Sequence, residues 1–515
     1  MTPNRELAPT PEPAAPAGGA ALPGAGTALA LLLAINLFNY IDRQVLSAVL
    51  PKLRLDAELF APDDPWLRTK LGSLTTAFMV TYMLLSPLFG WLGDRRSRWT
   101  IVGLSVILWS LASGASGLAV SFAMLLLTRC LVGVGEAAYG PVAPAMLSDL
   151  YPLKRRGRIM ALFYMAIPVG SALGFIIGGQ VADTAWGWRG AFFVVVLPGV
   201  LLGVLCLFMT EPPREHAAKP GFRLGDYGRV LRMLLRIPSF RLNTLAMTCS
   251  TFVLGGVAAW MPFYIFEREA RFVVTPQTLE DLRAMQTSAG TPVVPPGVVE
   301  KLGPLASEPA ELDMGQLQLR LAEVLTPREV EQYNSYIFDK AAAPGSPTLG
   351  WINLIFGAIV VVSGLGATIL GGYLGDRLRE RWPGSYFLVS GAGMLLGLPF
   401  FVAMLFVPFP LAWGVIFLAV FCLFLNTGPA NTILANVVHP GVRATAFAIN
   451  ILIIHLFGDA VSPMIIGGIA DLTNLPTAFL VIAGLVAVSG VLWTWGARHL
   501  QRDTELAPTR EVGGG

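Results

Sequence analysis

Twelve stretches of this chain are each long and apolar enough to cross a bilayer, and that pattern narrows the fold more than any other feature. A membrane-spanning helix needs ~20 mostly apolar residues. Such runs lie near 28–53, 67–92, 99–118, 121–147, 159–183 and 188–210, and again near 240–266, 349–374, 384–407, 411–436, 444–470 and 475–497. They do not alternate with period two, so barrel strands are excluded and only helices can satisfy the backbone in lipid. Composition agrees: 13% of residues are charged, against about 25% in soluble domains. The expected class is an all-α integral membrane protein of 12 transmembrane helices. A net charge of +3 gives no footing for a nucleic-acid partner.

Lysine and arginine in the loops set an expected orientation. With the N-terminus inside, the cytoplasmic loops hold 18 basic residues (Arg95, Arg96 and Arg98 among them) and the short outer loops hold 5. Both termini are then cytoplasmic, and the expected location is the cell inner (plasma) membrane. Residues 1–26 are rich in Pro, Ala and Gly and lack the basic start of a signal peptide. They read as a disordered cytoplasmic tail, and 498–515 as a second one.

Residues 27–210 form an N-terminal six-helix bundle and 240–497 a C-terminal one, joined by a cytoplasmic linker at 211–239. Tyr227 to Ile237 in that linker is amphipathic, and reads either as a solvated helix or as one touching anionic lipid. Between the seventh and eighth runs lies an extracytoplasmic insertion, 267–348, with 7 basic and 12 acidic side chains. Thr326-Pro-Arg-Glu329 has the pattern of a capping box with proline at the first helical position, and Thr275-Pro276 resembles it. A small helical cap is expected. The insertion has no N-x-S/T sequon, which fits a bacterial source. The four cysteines, Cys130, Cys206, Cys249 and Cys422, all sit in apolar runs, without disulfide or metal spacing.

The chain repeats itself. Gly90-Trp-Leu-Gly-Asp94-Arg95 recurs as Gly372-Tyr-Leu-Gly-Asp376-Arg377. Gly140-Pro141 recurs as Gly428-Pro429, and Ile176-Ile-Gly-Gly179 with Asp183 as Ile465-Ile-Gly-Gly468 with Asp471. Three landmarks in one order imply two pseudo-symmetric bundles, and parallel repeats of this kind place a substrate path at their interface.

The loop Gly90 to Arg98 resembles the signature of the major facilitator superfamily, with Ser97 in place of its usual glycine and Trp99 in place of its last basic residue. Within that superfamily, Asn39-Tyr-Ile-Asp42-Arg43 and Arg129-Cys-Leu-Val-Gly-Val-Gly-Glu136 resemble the spinster family. The resemblance implies a major facilitator fold and a transporter of sphingoid phosphates or lysophospholipids.

Ionisable side chains inside spanning helices cost ~2.5–3.5 kcal/mol each on insertion scales, so each invites a functional reading. Six lie deep: Asp42, Arg43, Arg129, Glu136, His455 and Asp459. The first four carry no net charge and can pair with one another. They read as a proton-coupling network or as ion pairs holding the first and fourth helices together. Arg43 and Arg129 also suit an anionic headgroup, because guanidinium grips phosphate in a fork. The resemblance implies that Asp42, Arg43 and Glu136 face the cavity, and that Arg129 takes part in proton coupling. His455 and Asp459, four apart, read as a second cavity pair that titrates near neutrality or as a packed hydrogen-bonded pair. The resemblance favours His455 facing the cavity.

Asp94, Arg95, Arg98, Asp376 and Arg377 sit at cytoplasmic helix ends, where the superfamily resemblance implies a gate. Asn39, Tyr40, Tyr82, Tyr139, Tyr164, Asn353, Asn426, Asn431 and Asn450 are candidates for the cavity wall. No phosphate-cradling loop, nucleophile triad or metal cluster occurs, so no cofactor, metal or enzymatic activity is expected. The expected function is a secondary active, proton-coupled transporter of an amphipathic lipid-like substrate, acting as a monomer among membrane lipids by alternating access. A carrier of a soluble organic anion or drug is the alternative, and a non-transporting receptor a remote one.

Overlaying the repeats sets Glu136 on Phe424, and Asp42 and Arg43 on Val253 and Leu254. The charges of the first and fourth helices therefore belong to the N-terminal half alone.

Overall fold

The computed structural model describes residues 24–56, 58–61, 64–93, 95–151, 159–160, 162–211, 224–286, 292–439 and 442–510. Spans one to six are Ala25–Leu53, Leu67–Gly93, Arg98–Gly117, Phe122–Leu147, Leu162–Ala182 and Gly187–Leu207. Spans seven to twelve are Pro238–Glu269, Leu349–Leu378, Ser385–Ala403, Leu411–Val437, Thr445–Leu472 and Leu475–Gly496. The twelve expected runs fall on these with shifts of up to four residues at their ends. The shifts arise because local caps, and not hydropathy, end a helix. Ser97 accepts from the Thr100 amide, so the third span begins at the charged Arg98.

The first six spans make one bundle, in which the third packs on the sixth, the first on the fifth and the second on the fourth. In the other, the ninth and seventh both pack on the twelfth. This is the expected all-α fold of two six-helix bundles. The two halves meet along two seams, the fifth span against the eighth and the second against the eleventh. Small residues permit this closeness: a Cβ on Gly179 would meet the Asn353 side chain at 2.7 Å, and one on Gly357 the Ala172 carbonyl at 3.0 Å.

The insertion folds as short helices, Pro276–Ala284, Pro296–Lys301, Gly303–Ser307, Met314–Val324 and Pro327–Lys340. Thr326 accepts from the Glu329 amide at 3.4 Å while Glu329 accepts from the Thr326 amide at 2.8 Å, the reciprocal box its sequence pattern suggests. Leu317, Leu321, Val330 and Ile337 bury the apolar faces of these helices. The cap also reaches the N-terminal half, through Asp339 to Lys52 at 3.2 Å and Gln318 to Arg54 at 3.0 Å.

Two expectations change. The segment read as a disordered tail after 498 is folded: Leu500–Leu506 is helical, and the buried Asp503 accepts from the Ser239 amide at 2.9 Å at the start of the seventh span. Polar composition hid it, because its stability comes from charges bonded to the bundle. The eleventh span is not one continuous α-helix. A π-helical turn occupies His455–Asp459, with Gly458 at φ −107°, ψ −110°, a common device at functional positions. The expected N-terminal tail lies almost wholly outside the described residues.

Candidate functional site

The buried charges of the N-terminal half sort onto two neighbouring levels. Consecutive residues on a helix point about 100° apart, so Asp42 and Arg43 look in different directions from the first span. Arg43 faces the fourth span, where its Nε donates to Glu136 Oε2 at 2.7 Å, and the Glu136 side chain is wholly buried. The Arg43 guanidinium also lies 5.0 Å from the Tyr40 ring, 5.1 Å from Phe78 and 5.0 Å from Tyr82. Three aromatic faces thus supply cation–π contact to a cation that has one carboxylate partner.

Asp42 turns instead to the third span and accepts from Ser113 Oγ. Arg129 donates from Nη2 to Ser116 Oγ at 2.6 Å, and Ser116 donates in turn to Thr128 Oγ1 at 2.8 Å. Its guanidinium lies 5.1 Å from the Phe192 ring. The four charges therefore form one direct ion pair and not two. Asp42 and Arg129 are bonded to successive turns of the third span, and Asp42 Oδ2 and Arg129 Nε have no hydrogen-bond partner among the described residues. The serines escaped the sequence reading because they lie in an apolar run as small residues. Their signal was the three-residue spacing of Ser110, Ser113 and Ser116, which lines one helix face.

His455 Nδ1 lies 2.8 Å from Asp459 Oδ1 and 3.0 Å from Oδ2, with side chains 33% and 23% exposed. The π turn packs against the seventh span of its own half and against the second span of the other. The pair expected on the C-terminal half thus rides on a turn that touches the other half.

Of the expected wall residues, Tyr40 and Tyr82 flank Arg43, Asn39 is buried one turn before it, and Tyr164 is half-exposed beside Phe163. Four others are corrected to packing roles. Tyr139 is buried between Trp109 and Phe163 and donates to the Leu32 carbonyl at 2.6 Å. Asn353 donates to the Ala48 and Leu349 carbonyls at the seam between halves. Asn426 donates to the Leu423 carbonyl, and Asn450 accepts from Thr244 Oγ1 at 2.7 Å. Buried polar groups must find a partner; Tyr139, Asn353 and Asn450 found theirs in neighbouring helices and Asn426 within its own span, which a helical wheel cannot distinguish from a cavity. Asn431 is exposed and donates to the Thr427 carbonyl.

The two ends of the bundles differ. On the side that carries the insertion, Asp183 accepts from the Gly350 amide at 2.6 Å, capping the eighth span from the opposite half. Asp471, its counterpart in the repeat, accepts from the Arg68 and Thr69 amides at 2.9 and 2.7 Å, capping the second span in the reverse sense. Arg54 and Arg68 both bind Glu267. On the opposite, basic side the partners of the described gate residues lie within their own halves. Arg95 stacks on Trp91, Arg98 pairs with Asp149 at 2.5 Å, Asp376 accepts from Tyr386, and Arg377 donates to Tyr373. Asp94 lies outside the described residues.

Known proteins agree with this architecture. Residues 32–279 and 282–511 match the Major Facilitator Superfamily. Protein spinster homolog 1 of Bos taurus is 34% identical over 457 residues, spanning 86% of this chain and 72% of that protein. Its Homo sapiens counterpart is 33% identical over 470 residues, spanning 88% and 74%. Among solved structures, a bacterial homolog of the human lysosomal transporter spinster, inward-facing and unoccupied, superposes with a TM-score of 0.66 at 20% identity, covering 94% of this chain and 99% of that one. A D-xylose–proton symporter gives a TM-score of 0.58 at 16% identity over 91% of this chain and 96% of its own. The chain is a multi-pass membrane transporter of the major facilitator superfamily and belongs to its spinster family.

Proposed function

We propose that this transporter works by alternating access, exchanges protons with the network of Asp42, Arg43, Arg129 and Glu136, and carries an amphipathic substrate with an anionic headgroup. The observation that carries this reading is the Arg43–Glu136 pair, enclosed by Tyr40, Phe78 and Tyr82. An arginine ringed by aromatic faces suits a headgroup that is charged at one end and joined to an apolar tail. When phosphate competes for Arg43, the Glu136 carboxylate loses its partner. An unpaired carboxylate buried in low dielectric favours the protonated form. Substrate binding and proton uptake are thereby linked, and a membrane potential adds ~2.3 kcal/mol per charge per 100 mV to drive the cycle.

The asymmetry of the two ends supports an insertion-side-closed state. Asp183, Asp471 and Glu267 bond across the halves there, while among the described residues the partners of Arg95, Arg98, Asp376 and Arg377 lie within their own halves. We take the basic side as cytoplasmic, by the loop charges, so this is an inward-facing arrangement. In the return stroke the basic-side residues would form the latch and the two aspartates would release.

Proteoliposomes loaded across an imposed pH gradient test the reading. Labelled lysophospholipid is expected to move faster than in protein-free liposomes, and faster with the gradient than without it. If a soluble organic anion moved and lysolipid did not, the lipid reading would fail and the coupling reading would stand. If lysolipid moved at one rate with and without the gradient, proton coupling would fail.

A further inference from the structure

Four arginines converge on one cleft where the linker meets the seventh span. Arg229, Arg232 and Arg236 come from the linker helix Leu224–Leu234 and the turn after it, and Arg510 closes the cleft from the C-terminal segment. Met233 and Ile237 complete a lining that, among the described residues, holds no acidic side chain, around a volume of about 360 Å³. Ligand pockets commonly run from ~300 to ~1,000 Å³.

The arginines are held in place by what lies behind them. Arg229 and Arg232, three apart, share one face of the helix, and Arg236 joins them in the cleft from the turn that follows. The opposite face is committed to the protein: Leu234 belongs to the buried core, and Val230 and Leu231 pack against it. The linker helix is therefore docked on the bundle, and its basic face is turned away from it. Arg510 is positioned separately, by Asp503 Oδ1 at 2.9 Å and the Val437 carbonyl. Arg232 and Arg236 are exposed and have no hydrogen-bond or ion-pair partner among the described residues. An open cluster of like charges is unfavourable by itself and is relieved by a bound anion.

Depth identifies the anion. Ile237 lines the cleft and Pro238 begins the seventh span, so the cleft lies where a helix enters the bilayer, at the level of lipid phosphates. Leu235 and Leu245, 44% and 49% exposed, offer apolar surface on either side of that boundary for an acyl chain. Basic pockets at such helix ends hold anionic headgroups.

We propose that this cleft binds the phosphate of an anionic phospholipid from the adjacent leaflet, apart from the transport pathway. The lipid would fasten the linker helix to the C-terminal segment through Arg232, Arg236 and Arg510. The purified full chain, titrated with phosphatidylglycerol or phosphatidylcholine and followed by native mass spectrometry and thermal unfolding, provides the test. The wild type is expected to prefer phosphatidylglycerol. Arg232→Gln with Arg236→Gln is expected to weaken that preference about tenfold or more, at about 1 kcal/mol per surface arginine and a factor of ten per ~1.4 kcal/mol. Arg232→Lys with Arg236→Lys should keep most of it. Both positions are exposed, so folding is not at stake. Equal binding of the two lipids by the wild type overturns the proposal. So does an unchanged preference in the glutamine pair, or inorganic phosphate alone reproducing the phosphatidylglycerol shift.

Discussion

The two halves of this transporter descend from one repeat but solve burial differently. In the N-terminal half, Asp42, Arg43, Arg129 and Glu136 lie inside spanning helices, bonded to each other or to serines of the third span. In the C-terminal half, Val253, Leu254 and Phe424 stand at the positions matching Asp42, Arg43 and Glu136. Helices there are joined by neutral polar bonds, Thr244 to Asn450 and Trp493 to Asn243. Its intramembrane pair, His455 and Asp459, rides on a π turn that breaks the eleventh span. Within the spans, one half therefore holds the buried ion pair, and the other holds the π-helical break. A duplicated scaffold keeps the rocking symmetry while the proposed coupling chemistry sits on one side.

The strongest test of that division removes charge from the N-terminal half. Glu136→Gln is expected to abolish pH-driven accumulation in proteoliposomes. It leaves Arg43 without its carboxylate, and breaking a buried pair from one side costs about 3–5 kcal/mol, so thermal unfolding should fall as well. Pairing it with Arg43→Gln separates the two effects: stability should recover in large part, and accumulation should not. Wild-type accumulation in Glu136→Gln would make the network purely structural and end the comparison.

A smaller effect is expected in the other half. His455→Gln keeps a hydrogen-bonding side chain beside Asp459 but removes the titrating ring. Accumulation should persist with a shifted pH midpoint, because His455 is a third exposed and rides on a turn that touches the second span. A loss as complete as that of Glu136→Gln would show that both halves carry the coupling.

Much of this could be read in advance, for identifiable reasons. The twelve spans follow from hydropathy, and the confinement of Asp42, Arg43 and Glu136 to one half follows from overlaying the repeats. What could not be read was which neighbour each side chain meets. Helical spacing separates Asp42 from Arg43 by about 100°, but only the packed third span reveals that Ser113 and not Arg129 bonds Asp42 directly. Tyr139 and Asn450 lie on faces that a wheel assigns equally to a cavity or a helix. Asp183 and Asp471 were visible as landmarks of the repeat. Their role depends on amides of the opposite half, Gly350, Arg68 and Thr69, which no local pattern foretells. The break at Gly458 carries no proline to announce it.

Those two aspartates give the next test, in which the halves behave alike. Each caps a helix across the seam, and loss of a cap costs about 0.5–2 kcal/mol. Asp471→Ala loses contacts to two amides and to Thr69 Oγ1, Asp183→Ala loses one amide and Lys52. Both should shift the population toward opening on the insertion side, several-fold, and Asp471→Ala more than Asp183→Ala. Spin-label distances between the insertion-side ends of the fifth and eighth spans would report it. Unchanged distance distributions in both variants would mean that packing of the glycine-lined seams, and not the caps, holds that end shut.

The smallest expected effect asks whether the insertion contributes to pH dependence at all. Glu329 accepts from Lys301 and from the Thr326 amide and hydroxyl, and these bonds hold its pKa at about 2, below the ordinary 4.5. A depressed carboxylate stabilises its surroundings above the unfolded value and loses that contribution as pH falls from about 4.5 toward about 2. Between pH 5 and 8 it stays ionised and contributes a constant. Glu329→Gln should therefore leave the shape of the transport pH profile over that range superimposable on the wild type, while acid sensitivity of the cap below pH 5 diminishes. If the profile between pH 5 and 8 moved instead, the cap would be part of the coupling machinery. The contrast between the halves would then have to include the insertion, which reaches from the C-terminal half to Lys52 and Arg54 of the other.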